Sequence, residues 1–393
     1  MTADKFPLDN SNFHILQGRR ILFFYPSFGF SGAERQGFYL AKYLKQQCDM
    51  QVEFWGFKDP GPLSNLCAQE NILWQVVPNP QQGSLIRRPL QLVRYAARIR
   101  SAHADILMPY MLAPCVSVGS IAKLTGAVCI WNQRDEGRRG RMNPLQEAAA
   151  VRGCTWFISN SNIGAQFLNQ ELHAPAQKIS VIYNGVELPA PAASREAWRQ
   201  RLGIGLQDFA ACMLANLTEH KDQLTLVSAW AEVVAQTQNL NRQAILVLAG
   251  YHGSTAVAIQ QQIQSLHLDH YVILPGQVED VSGLLAAMDL CVHSSEKEGL
   301  PNGILEAMLM GLPVVATDIP GIREALGPDN GDYLVPSASP NAFAGKIVEL
   351  ASNAGLMASI GARNRKRIIE QFSPDQYHQA TARLLSSIIR RDI

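Results

Sequence analysis

Two carboxylates, Glu298 and Glu306, stand with seven residues between them in the segment 293–324, HSSEKEGLPNGILEAMLMGLPVVATDIPGIRE. An ionised carboxylate only accepts hydrogen bonds, so each can hold a pair of vicinal hydroxyls, one on a ribose and one on a hexose. Pro301, Asn302 and Gly303 lie between them and read as a loop turning into a helix, with Asn302 as its N-cap. Such a turn presents unpaired backbone N–H groups and the positive end of the helix dipole, which suits a phosphate or a sugar hydroxyl. The same spacing also fits an ordinary capped helix with solvated glutamates. A cation stands earlier in the chain: Lys221, five residues after Asn216, opens a helix containing Leu224, Leu226, Val227 and Trp230. It can meet a phosphate or remain a surface lysine.

These groups need a scaffold, and the hydrophobic pattern supplies one. Ile304, Leu305, Met308 and Leu309 recur at helical spacing until Gly311, and 313–316 (PVVA) reads as a short buried strand. Apolar runs of strand length recur at 20–25, 51–57, 72–77, 104–108, 128–132, 156–159 and 179–183, and again at 209–215, 244–249, 272–274 and 290–293. Helical stretches alternate with them, as parallel sheets require. After the first strand, a loop bearing Gly29 and Gly32 leads into a helix over about 33–45, the opening unit of a doubly wound fold. Gly-x-Gly-x-x-Gly is absent there, which argues against a nicotinamide dehydrogenase. Asn184-Gly185 predicts a sharp turn, and the proline- and alanine-rich 188–194 reads as a linker.

Read whole, 298–324 resembles the donor-site signature of the family 4 retaining glycosyltransferases, enzymes of GT-B fold. Ser31-Gly32-Ala33-Glu34-Arg35 is similar to that family's Gly-Gly-Ala-Glu-Arg loop with one glycine replaced by serine, and Asn184-Gly185-Val186 resembles its interdomain element. The resemblance implies two Rossmann-like domains facing across a cleft, with a C-terminal helix crossing back to the first. It implies that Glu298 holds the transferred sugar, Glu306 the ribose, and Lys221 the diphosphate. Pro301, Asn302, Gly303, Gly29 and Gly32 would also approach the donor, and Gly276 and Val278 would face the base. Two positions depart from the family. Asn216 stands where an arginine usually assists Lys221. Asn132, Arg134 and Asp135 stand where a His-Asp pair usually faces the sugar being transferred; with Asn184 they are the acceptor-side candidates.

The 393 residues, 47% hydrophobic and 17% charged, fit two or three globular domains. Boundaries are expected at 1–187, 188–370 and 371–393. The net charge of +1 argues against a dedicated nucleic-acid binder. It conceals an asymmetry: residues 1–185 hold 19 Lys and Arg against 12 Asp and Glu, the remainder 15 against 21. A basic first half suggests an anionic acceptor or contact with an anionic membrane. Within it, 84–101 is a basic amphipathic stretch with Arg87, Arg88, Arg94, Arg98 and Arg100, which fits a bilayer surface or a crossover helix with a solvated face. The acidic, apolar-poor first twenty residues do not form a signal peptide, so a cytoplasmic location is expected. Seven scattered cysteines give no disulfide framework, and His267 and His270 lack a third metal ligand. The expected activity is transfer of a hexose or N-acetylhexosamine from a UDP- or GDP-sugar to a glycan or lipid-linked hydroxyl, with no obligatory metal. A sugar-nucleotide epimerase and a non-catalytic nucleotide-sugar-binding subunit are the alternatives.

Overall fold

The computed structural model describes residues 10–80, 88–137, 142–237 and 242–392. The chain forms two compact units, residues 1–185 with 375–393, and residues 186–374. Each is built on one parallel sheet with helical crossovers.

In the first unit the strands are β1 (Arg20–Tyr25), β2 (Gln51–Gly56), β3 (Leu73–Val76), β4 (Ile106–Pro109), β5 (Val128–Gln133), β6 (Trp156–Ser159) and β7 (Ile179–Val181), in the order β3-β2-β1-β4-β5-β6-β7. The alternation of β1 explains its place. Ile21, Phe23 and Tyr25 pack into one apolar layer, Leu22 and Phe24 into the other, and all five are fully buried. β4 starts two residues later than the sequence suggests because Asp105 is otherwise engaged. Its carboxylate accepts from Arg19 at 2.7 Å and from the Arg20 backbone N–H at 2.8 Å. The helix Gly32–Gln47 starts on a capping box, with Ser31 and Glu34 bonding reciprocally.

The second sheet contains β8 (Phe209–Leu214), β9 (Ala244–Ala249), β10 (Val272–Gly276), β11 (Leu290–His293), β12 (Val314–Thr317) and β13 (Leu334–Val335), ordered β10-β9-β8-β11-β12-β13. The two-residue β13 is too short to show a pattern and is held by pairing with β12. The apolar periodicity from Asn364 onward belongs to two helices, Ala354–Gln371 and Pro374–Asp392. Pro374, at the start of the second, lacks an N–H with which to continue the first. The last helix packs in the first unit, where Tyr377, Ala382, Leu385, Ile388 and Ile389 join the layer containing Ile21 and Phe23.

The basic stretch forms a helix from Arg88 to Ser101, and residues 84–87 lie outside the described segments. Tyr95, Ala96 and Ile99 face the core, while Leu90, Val93, Arg94, Ala97 and Arg100 form an exposed stripe. No helix among the described residues is long and apolar enough to cross a membrane.

Candidate active site

The second sheet grows from β8 through β9 to β10 on one side and from β11 through β12 to β13 on the other. In an open parallel sheet, ligands bind beyond the carboxyl ends of the strands where the order reverses. Here that point lies between β8 and β11, and the loops leaving those two strands carry Lys221 and Glu298.

After β8 the chain makes a short 3-10 turn, Glu219–Lys221, and then Asp222 adopts a left-handed conformation, φ +47°. The Asp222 carboxylate accepts from the N–H of Thr225, in the first turn of the helix Gln223–Thr237, and burial raises its pKa. Lys221 is thereby set at the helix mouth, where its ammonium forms an ion pair with Oε1 of Glu298. The same oxygen accepts from Ser295 Oγ at 2.7 Å and from His293 Nε2 at 2.9 Å. A carboxylate has no proton to give, so Nε2 is the protonated ring nitrogen. Ser294 donates to the backbone carbonyls of Lys221 (2.9 Å) and Asp222 (2.8 Å), joining the two loops. Glu298 is 7% exposed, and His293, Ser294 and Ser295 are essentially buried. A buried carboxylate costs several kcal/mol unless it is paired and hydrogen-bonded; three donors on one oxygen meet that condition.

The helix Asn302–Leu309 follows with Pro301, not Asn302, as its N-cap. Pro301 is extended and its carbonyl accepts from Ile304 and Leu305, so Asn302 is already the first helical residue. A Cβ on Gly303 would lie 2.5 Å from the Leu214 carbonyl oxygen, so only glycine lets the helix mouth sit against the end of β8. Glu306 is buried in the second turn, where its charge adds to burial in pushing the Cys291 thiol on β11 up to about 12. Asn216 is exposed. Its side-chain oxygen accepts from the Tyr251 N–H at 3.1 Å, tying the loop after β8 to the loop after β9. Gly276 (φ +77°) closes β10, two strands from β8, with Val278 half-buried just beyond it.

The first sheet reverses between β1 and β4. Gly29 and Gly32 lie on the loop after β1 and at the helix start that follows. Asn132, Arg134, Asp135 and Asn184 lie beyond β5 or β7 or at their ends. The Arg134 guanidinium sits 4.8 Å from the Tyr110 ring centroid and 5.7 Å from that of Tyr377. It donates to the phenol oxygens of both and to the side-chain oxygens of Asn132 and Asn184, at 3.1–3.3 Å. Asp135 accepts from Gln133 at 2.6 Å and from the Gly137 N–H at 2.8 Å.

The fold thus joins Lys221 to Glu298, and Arg134 to Asn132 and Asn184; Asn216 shares the loop after β8 with Lys221 but bonds to the loop after β9, and Gly276 and Val278 lie at the end of β10. The sequence reading assigned no role to His293, Ser294, Ser295, Tyr110 or Tyr377. The polar triplet closing an apolar strand just before Glu298 was the available signal for the first three. Among the described residues, no group of three or more His, Cys, Asp or Glu side chains is placed to hold a metal ion.

The family pattern described as Glycosyltransferase Family 4 matches residues 30–189, and that described as Glycosyl transferases group 1 matches residues 209–353. The chain is 26% identical over 223 residues to the N-acetyl-alpha-D-glucosaminyl L-malate synthase of Bacillus anthracis, covering 56% of this chain and 57% of that protein. It is 27% identical over 329 residues to the UDP-Gal:alpha-D-GlcNAc-diphosphoundecaprenol alpha-1,3-galactosyltransferase of Escherichia coli, covering 80% and 84%. The first of these relatives is therefore matched over little more than half its length. Anabaena HepE, solved in complex with UDP and glucose, has a TM-score of 0.81 at 22% identity, covering 94% of this chain and 100% of that one; this likeness concerns the fold alone. With one glycosyltransferase pattern on each unit and the fold shared throughout, the chain belongs to the family 4 glycosyltransferases of GT-B fold.

Proposed function

We propose that the chain transfers a hexose or N-acetylhexosamine from a nucleoside-diphosphate sugar to a hydroxyl of a glycan or lipid-linked acceptor, with retention at the anomeric carbon. The observation that carries this reading is the partly buried Lys221–Glu298 pair at the reversal point of the second sheet, beside the mouth of the helix Asn302–Leu309. The bond from the anomeric carbon to the diphosphate oxygen breaks, and its electron pair leaves with the diphosphate. The acceptor oxygen bonds to the same face of that carbon and gives its proton to the leaving phosphate oxygen. Lys221 and the backbone amides at Asn302 and Gly303 meet the charge that grows on the diphosphate. Glu298 holds the transferred sugar, Glu306 the ribose hydroxyls, and Gly276 and Val278 border the base.

On the acceptor side, Arg134 is held by four neutral oxygens and two aromatic rings. It keeps its positive charge, and together with the basic first half this favours an anionic acceptor. The names of two relatives carry anionic acceptors as well, L-malate and a sugar diphosphoundecaprenol. The exposed stripe Leu90, Val93, Arg94, Ala97 and Arg100 supports peripheral contact with an anionic bilayer. Arg98 lies over Trp55 and donates to Gln75, so Arg94→Gln with Arg100→Gln is the sharper test of that contact. Binding to vesicles containing phosphatidylglycerol should fall in this variant and with rising salt; unchanged binding removes the membrane from the reading.

A thermal-shift screen against UDP-, GDP- and ADP-sugars selects the donor. A ligand at 100 times its Kd adds about 2.7 kcal/mol. Release of nucleoside diphosphate with a product of unchanged anomeric configuration by NMR is the expected result. Conversion of the donor into a different nucleotide sugar with no acceptor present favours an epimerase, and binding without turnover favours a binding subunit.

A further inference from the structure

β11 runs Leu290-Cys291-Val292 and then turns polar at His293, Ser294 and Ser295, all three essentially buried. Buried imidazoles and hydroxyls cost free energy unless they are hydrogen-bonded, and the partners of this triplet are groups of the candidate site. Side chains alternate along an extended segment. His293 and Ser295 therefore share one side, where both reach Oε1 of Glu298, at 2.9 and 2.7 Å, and lie 2.9 Å from each other. Ser294 takes the other side, where its hydroxyl reaches the carbonyls of Lys221 and Asp222.

We infer that His293-Ser294-Ser295 is the positioning element of the site. His293 and Ser295 fix the plane of the Glu298 carboxylate, and Ser294 fixes the backbone from which Lys221 extends. The inference rests on the proposed roles of Glu298 at the transferred sugar and Lys221 at the diphosphate, and it divides one tripeptide between two measurable quantities. Loss of the Glu298 anchors acts on turnover, because the reacting sugar is misaligned while the nucleotide is untouched. Loss of the Ser294 anchor acts on affinity for the diphosphate.

The test uses the full chain, UDP as the calorimetric probe, and release of UDP from the UDP-sugar that gives the largest thermal shift. His293→Leu is expected to lower kcat by about 10- to 100-fold, the size of effect seen when a group orienting a reactive residue is lost. UDP affinity should stay within about twofold. His293→Gln, which keeps an N–H donor of similar reach, should recover most of the loss, and Ser295→Ala should lower kcat by a smaller factor. Ser294→Ala should instead weaken UDP by about 2- to 10-fold, the range for one hydrogen bond. Circular dichroism on each variant reports folding, and the contrast between Leu and Gln at 293 reads the hydrogen bond at matched burial. Equal turnover in His293→Leu and wild type overturns the inference, as does a parallel loss of UDP affinity and kcat in all four variants. A wild type that binds none of UDP, GDP and ADP overturns the donor reading, and this inference with it.

Discussion

Both sheets reverse strand order beside their first strand, yet the side chains gathered there differ in kind. Beyond β8 and β11, a cation and an anion satisfy each other: Lys221 against Glu298, with His293 and Ser295 on the same carboxylate oxygen. Beyond β4, β5 and β7, Arg134 is surrounded by Tyr110, Tyr377, Asn132 and Asn184, none of them charged. In the first arrangement either partner can exchange its counter-charge for a ligand group, and removing one takes the counter-charge from the other. In the second the load is spread over four neutral acceptors and two rings. No single partner is decisive, and the arginine's charge remains to be met. The contrast supports the proposal that the charged pair serves the chemistry, while the aromatic box holds the C-terminal helix and offers positive charge.

The sharpest way to break this comparison is Glu298→Ala. Turnover should fall by about 100-fold or more, since each 1.36 kcal/mol of lost transition-state stabilisation is tenfold. Affinity for free nucleoside diphosphate should hold or rise, because Lys221 loses its competing carboxylate. Calorimetry together with steady-state rates decides this, and retained turnover removes Glu298 from the sugar. Next in size, Lys221→Ala should weaken the diphosphate by about 1.5–3 kcal/mol, the range for a charge-assisted hydrogen bond. Unchanged affinity means that the phosphate charge is met elsewhere.

Arg134→Gln probes the other arrangement. Loss of two cation–π contacts and of the hydrogen bonds to two tyrosines should destabilise the first unit by about 1–3 kcal/mol, read as a lower unfolding midpoint. It should leave diphosphate affinity unchanged. A normal midpoint with lost diphosphate binding would reverse the roles given to the two arrangements.

The smallest effect concerns His378, on the helix that carries Tyr377. Its ring stacks 4.9 Å from that of Tyr43, and burial lowers its pKa to about 4. The folded chain favours the neutral ring, so its contribution is complete above the ordinary value near 6.5 and is lost as pH falls toward 4. The first unit should lose on the order of 1–2 kcal/mol across that window, after allowance for solvent screening at a partly exposed ring. His378→Phe should flatten the decline. An equal decline in that variant assigns it to carboxylates instead.

The parallel architecture was legible from local text, because strands buried on both faces must be apolar throughout. β9 is a run of that kind, as are β1 after Arg20 and β5 up to Trp131, and the crossovers between strands follow from chain direction. The segment 298–324 also announced its glutamates and its helix mouth, although Pro301 took the cap expected of Asn302. What the sequence could not express is which distant groups meet. Lys221 and Glu298 are 77 positions apart, and Arg134 and Tyr377 are 243 apart. Both pairs exist because sheet order, a product of packing among whole strands and helices, sets β8 against β11 and lays the last helix on the first sheet. Hydrophobic periodicity records only which side of an element is buried, so it carries no information about which partner a polar group at the end of a strand will find. That is decided when the strands are ordered, and with it the triplet His293-Ser294-Ser295 passes from three polar residues at a strand end to the support of a charged site.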